Sequence, residues 1–230
     1  MKLLGLIGGM SWESTIEYYK IINELVKEKL GKWNSTELLL YSVNFEKIYN
    51  LQQQNNWNKI AQTMIEISKK LENAGCVALV ICSNTIHKIA DKIENEISIP
   101  LIHVVNETAK AIKMVNIESV GLLGTKFTME GNFYTDKLEK EYNLHVLLPE
   151  KEERNYINKA IYDEFAQSIF LDSTKARFIE IIESLKKKGA EGIILGCTEI
   201  PLLIQESDVN ISLFNTLTIH LKAAVEFAVS

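Results

Sequence analysis

Two short stretches carry the clearest chemistry in this chain: Ser83-Asn84-Thr85 and Cys197-Thr198-Glu199. Each lies eight residues after a glycine, Gly75 and Gly189 respectively. A hydroxyl and a thiol can both pass protons. The thiol titrates ordinarily near pH 8.5, and a helix N-terminus lowers that value, so a thiolate is expected at Cys197 near neutral pH. Two such groups on opposite sides of one carbon would take a proton from one face and return it to the other. That is the chemistry of inverting a carbon centre.

The elements that must hold these groups repeat. Gly75–Cys82 and Gly189–Gly196 both read as short buried strands that end at the reactive residue. Leu4–Gly9 matches Val120–Thr125 glycine for glycine at an offset of 116. From Gly8 to Ser83 is 75 residues, and from Gly124 to Cys197 is 73. A third pair, Ile99–Ile102 and Ile211–Phe214, follows 16 and 14 residues beyond the reactive positions. This period is too long for a solenoid and predicts two related lobes.

Apolar runs at 2–7, 36–43, 76–82, 99–104, 118–124, 144–148, 191–196 and 210–214 predict strands. Helical patterns fall between them, at about 59–73, 85–96, 106–115, 129–142, 156–167, 174–188 and from Leu217 onward. The first helix runs to about Leu30, and residues 50–58 read as a loop or a polar helix start. Alternation of this kind means α/β architecture with parallel strands. The expected fold has two pseudo-symmetric lobes, 1–97 plus 209–230 and 98–208, each a parallel sheet flanked by helices. The active site is expected in the cleft between them, because ligands of open α/β sheets bind at the carboxyl ends of strands.

Composition narrows the function. With 230 residues, a net charge of −5 and charged residues scattered along helical faces, the chain offers no basic surface for nucleic acid or anionic membrane. The three cysteines, Cys76, Cys82 and Cys197, form no C-x-x-C pair and suit free thiols in a reducing cytosol. The four histidines lie far apart with no metal-ligand spacing, so no metal site is expected. No apolar run suits a signal peptide or a membrane span. A cytoplasmic protein is expected, and a homodimer is left open.

The motifs Gly8–Ser14 (GGMSWES), Val80–His87 (VICSNTIH), Leu122–Thr125 (LLGT), Ile161–Glu164 (IYDE) and Ile194–Pro201 (ILGCTEIP) resemble the aspartate/glutamate racemase superfamily, nearest its bacterial amino-acid racemase branch. The similarity runs the length of the chain. It implies a two-base racemase that needs no cofactor, pyridoxal phosphate included, and acts on a free amino acid, aspartate or glutamate first. The family pattern places a thiol in each lobe. Here Ser83 stands at the first thiol position and Cys82 one residue early. The internal repeat aligns Ser83 with Cys197 and Cys82 with Gly196. A one-residue shift along a strand turns a side chain to the other face. Ser83 and Cys197 are therefore the expected catalytic pair, and Cys82 is expected to pack in the core.

Met10, Gln52, Asn84, Thr85, Thr125, Thr198 and Glu199 form the expected substrate-binding set, with Gln52 in a loop that the resemblance marks as a substrate contact. Thr85, Thr125 and Thr198 can offer hydroxyls and amide N–H groups to a carboxylate, although each also suits a helix cap. His87, one turn beyond Ser83, could orient the site or simply sit on a helix face. No arginine stands near the expected site, since the only two are Arg154 and Arg177, and Lys47 and Lys126 are the candidates for holding a second carboxylate. Three other readings remain: a superfamily isomerase or decarboxylase acting on a 2-substituted acid, a binding module that has lost catalysis, and a cysteine hydrolase. For the last, no Cys–His–Asp/Asn arrangement can be picked out.

Overall fold

Strand β1 (Leu4–Gly8) is buried at every position, which is why its apolar run alternates with nothing polar. In the computed structural model, which describes residues 1–230, it is the centre of a parallel sheet ordered β2-β1-β3. Its neighbours are β2 (Leu38–Ser42) and β3 (Ala78–Ile81). Helix α1 (Trp12–Leu30) starts at Ser11, whose hydroxyl accepts from the Ser14 N–H. Helices α2 (Phe45–Gln53) and α3 (Trp57–Asn73) start at Asn44 and Asn56, which cap in the same way. The inner stripe of α3 is Ile60, Met64, Ile67 and Leu71, all buried.

The single helix expected after β3 is instead a 3₁₀ helix at Thr85–Ile89 followed by α4 (Ala90–Glu94). The strand expected at 99–104 reduces to a bridge between Leu101 and Leu79. Pro100 has no N–H to extend a ladder, although its carbonyl still accepts from Leu79 at 2.9 Å.

A second parallel sheet is ordered β5-β4-β6-β7. It consists of β4 (Ser119–Gly124), β5 (His145–Leu147), β6 (Gly192–Gly196) and β7 (Ser212–Asn215). Around it lie α5 (Val104–Met114), α6 (Lys126–Glu130), α7 (Asn132–Asp136), α8 (Lys151–Asp163), α9 (Asp172–Lys187) and α10 (Ile200–Leu203). Tyr134, Phe165 and Phe178 are fully buried in its core. Helix α11 (Thr216–Val229) ends the chain's regular structure.

The chain divides into two compact units, Met1–His103 with His220–Ser230, and Val104–Ile219. Both crossings fall later than the repeat suggested. Residues 98–103 stay with the first sheet through the Leu101 bridge, and β7 pairs with β6 in the second. Each sheet thus reads in the same order, β2-β1-β3-bridge and β5-β4-β6-β7. Matching glycines with positive φ, Gly75 (94°) and Gly189 (104°), turn the chain out of α3 and α9 toward β3 and β6.

Candidate active site

Strand pairing decides which residues are equivalent at the two reactive tips. In the first sheet Leu4 lies opposite Ala78 and Ile7 opposite Ile81. In the second, Val120 lies opposite Gly192, Leu123 opposite Leu195 and Gly124 opposite Gly196. Carried one step past Ile7, the first register puts Cys82 where Gly196 stands and Ser83 where Cys197 stands. Cys82 is completely buried, and burial pushes its thiol far above the ordinary range. At Gly196 even a Cβ would come within 2.7 Å of the Leu123 carbonyl oxygen. Cys76 is buried too.

The first unit gathers Met10, Gln52, Ser83, Asn84 and Thr85, all buried. Met10 lies in the turn between β1 and α1, where the Gly9 N–H donates to the Thr15 hydroxyl at 2.8 Å and that hydroxyl donates to the Ser11 carbonyl. Gln52 is not in a loop: it occupies the last turn of α2, only 4% exposed. Its Oε1 has no hydrogen-bond partner. A buried acceptor left so costs on the order of 1–3 kcal/mol. Asn84 and Thr85 begin the 3₁₀ helix that follows Ser83.

The second unit gathers Thr125, Cys197, Thr198 and Glu199, also buried. Thr125 caps α6, accepting from the Thr128 N–H at 3.2 Å. One carboxylate oxygen of Glu199 accepts two hydrogen bonds, from Cys197 Sγ at 3.0 Å and from the Thr198 hydroxyl at 2.8 Å. This corrects the expectation of a lowered thiol pKa. Burial, and then the Glu199 carboxylate beside it, hold the Cys197 thiol well above its ordinary value. The N–H groups of Thr198 and Glu199 pull the other way but are outweighed. Helix α10 has four residues, too few for its dipole to reverse the balance. Cys197 and Glu199 are thus a hydrogen-bonded thiol–carboxylate pair with the thiol as donor.

Sequence spacing missed one cluster altogether. Three of the four histidines, His87, His103 and His220, meet in the first unit, with ring centroids 4.8 Å apart for His87–His103 and 5.6 Å for His87–His220. They come from the 3₁₀ helix, the residue after Ile102 and α11, so no local pattern could announce them. Of the two lysines considered for a second carboxylate, Lys47 is exposed and Lys126 half-buried.

The sequence profile of the Asp/Glu/Hydantoin racemase family matches residues 7–224. The chain belongs to that family. A crystal structure of an Asp/Glu racemase candidate from Yersinia pestis is 42% identical with a TM-score of 0.94, and all of both chains is covered. An aspartate racemase homologue from Pyrococcus horikoshii OT3 is 35% identical with a TM-score of 0.87, again over all of both chains. The broad specificity amino-acid racemase RacX of Bacillus subtilis (strain 168) is 21% identical over 226 residues, 97% of this chain and 96% of that protein. No helix here is long and apolar enough to cross a membrane.

Proposed function

We propose that the chain racemises a free amino acid without pyridoxal phosphate, with Cys197 and Ser83 as its two proton-transferring groups. The observation that carries this reading is the pairing of Cys197 Sγ with the Glu199 carboxylate at a strand tip whose register matches the Ser83 tip. The Cys197 thiol, which donates to Glu199 at rest, gives up its proton to solvent to become the thiolate. The thiolate removes the Cα proton from one face, and the Ser83 hydroxyl supplies one to the other. N–H groups and hydroxyls from Asn84, Thr85, Thr125 and Thr198 stabilise the charge that develops on the substrate carboxylate. Gln52 Oε1, buried and unpartnered, suits the substrate ammonium as its donor. Met10 contributes apolar surface beside the Gly8-Gly9 turn.

Aspartate and glutamate are the first substrates to test, since the family is named for them. A second reading is favoured by one observation. No lysine or arginine is buried anywhere in the chain, and burial keeps His87 and His220 uncharged. The one carboxylate at the Cys197 tip, Glu199, would repel an acidic side chain. Amino acids with uncharged side chains therefore belong in the same panel.

The test is deuterium incorporation at Cα in D₂O, followed by NMR over both enantiomers of acidic and neutral amino acids. The racemase reading expects exchange together with inversion. A binding module or a hydrolase leaves every Cα–H intact, and either result ends the proposal. Loss of activity on chelation, or a Schiff-base absorbance band, would count equally against two-base chemistry.

A further inference from the structure

His87 is tied to the residue that the proposed mechanism uses. Its backbone N–H donates to the Asn84 carbonyl at 3.1 Å, while its ring Nδ1 lies 2.8 Å from the Ser83 carbonyl oxygen. A carbonyl only accepts, so Nδ1 carries the proton and donates it. Behind His87 the tautomer of His220 is fixed as well. His220 Nε2 lies 2.6 Å from the Ile102 carbonyl and donates to it, which leaves Nδ1 to accept from the Tyr18 hydroxyl at 3.1 Å. The His103 ring packs edge-on against His87. All three imidazoles and Tyr18 are buried. Such a packed group of rings resists adding a charge, and it forms no metal-holding set.

We infer that His87 is a positioning residue: its Nδ1–H holds the Ser83 peptide, and the His103 and His220 rings packed edge-on against it hold the imidazole in place. This rests on the reading of Ser83 as a proton-transferring group. The bond acts on the backbone of residue 83, so it sets where the hydroxyl points without touching the substrate. A carbonyl released from that bond lets the tip shift, and a shift of about an ångström at a reacting group costs up to about 100-fold in rate.

The experiment follows Cα–H exchange in D₂O from each enantiomer separately, for wild type, His87→Leu and His87→Asn, with thermal unfolding of each. Leucine keeps bulk and removes the donor, whereas the short asparagine amide offers an N–H near the position of Nδ1. For His87→Leu, racemisation and exchange from the enantiomer whose Cα–H faces Ser83 should fall roughly 10- to 100-fold. Exchange with retention from the other enantiomer, which uses Cys197, should stay near wild type. His87→Asn should restore most of the loss. Equal loss from both enantiomers, no loss in His87→Leu, or no recovery in His87→Asn overturns the inference alone. A wild-type chain that exchanges neither enantiomer refutes the racemase reading first, and the role of His87 with it.

Discussion

The β3 and β6 tips share a frame and differ in what stands behind the reactive group. Both strands are parallel, buried and in the same register with a glycine-bearing neighbour. Behind Ser83 stands a set of buried imidazoles, of which His87 grips the peptide. Behind Cys197 stands a carboxylate that grips the side chain itself. A duplicated backbone thus positions two groups alike, while the electrostatics of each tip are written by residues outside the repeat. The thiol tip holds its side chain by a hydrogen bond to a carboxylate; the hydroxyl tip is held through its peptide.

The largest expected effect tests the thiol tip. Cys197→Ala should abolish exchange from at least one enantiomer, a loss of about 1,000-fold or more given the worth of a positioned acid–base group, with the far-ultraviolet circular dichroism unchanged. Full activity from both enantiomers in that variant would remove Cys197 from the mechanism and leave the comparison without content.

Next comes acid stability, which should belong to the hydroxyl tip. His87 is held well below its ordinary value by burial and then by its His103 and His220 neighbours, and burial brings His220 down to about 4. The unfolded chain binds these protons first, so stability should be complete above about pH 6.5 and fall as pH drops toward about 4. The His220 share alone is about 3 kcal/mol. His220→Gln should flatten that part of a urea-midpoint-against-pH curve; an unchanged slope would show that these rings titrate normally.

A smaller effect separates the two electrostatic settings. Because its thiol is raised, turnover limited by the Cys197 thiolate should still be climbing above about pH 8.5. Glu199→Gln removes the neighbouring anion, so the climb should move to lower pH. A limb that moves upward, or stays put, contradicts the effect of Glu199 on the thiol.

The smallest effect concerns the position just before each tip. Cys82→Ala should leave exchange intact and cost about 1 kcal/mol or slightly more in packing. Gly196→Ala at the equivalent place should cost about 1–3 kcal/mol, because its new Cβ meets the Leu123 carbonyl. If Cys82→Ala abolished exchange while Ser83→Ala left it untouched, the register equivalence would not describe the chemistry.

Most of this frame could be read from residue order. Alternating apolar and amphipathic runs carried the α/β class, and the paired glycines carried the equivalence of the sheets, because buried parallel strands leave unbroken apolar runs. What escaped depended on single residues or distant ones. Pro100 turned a strand into one bridge, and β7 went to β6 by pairing that apolar content alone does not specify. Gln52 reads as a loop residue because its polar neighbours hide the helix that buries it. The strand–helix junction suggests a lowered thiol pKa; burial, and then the Glu199 carboxylate, raise it instead. The histidine cluster joins residues up to 133 apart, which spacing cannot show.

The way α11 closes the first unit also bears on the order in which the chain can finish folding. Val104–Ile219 is one uninterrupted stretch, whereas the first unit needs residues 220–230 to be complete. During synthesis, Tyr18, His87 and the Ile102 carbonyl are made long before His220, their partner in the buried ring cluster. The Lys2 N–H likewise waits for the Ala228 carbonyl, 2.8 Å away in the finished protein. Until the ribosome delivers residues 220–230, the Ser83 tip lacks part of its support, while every residue of the Cys197 unit has already been made. The thiol half of the chain can therefore be ready first, and the hydroxyl half is locked by its final helix.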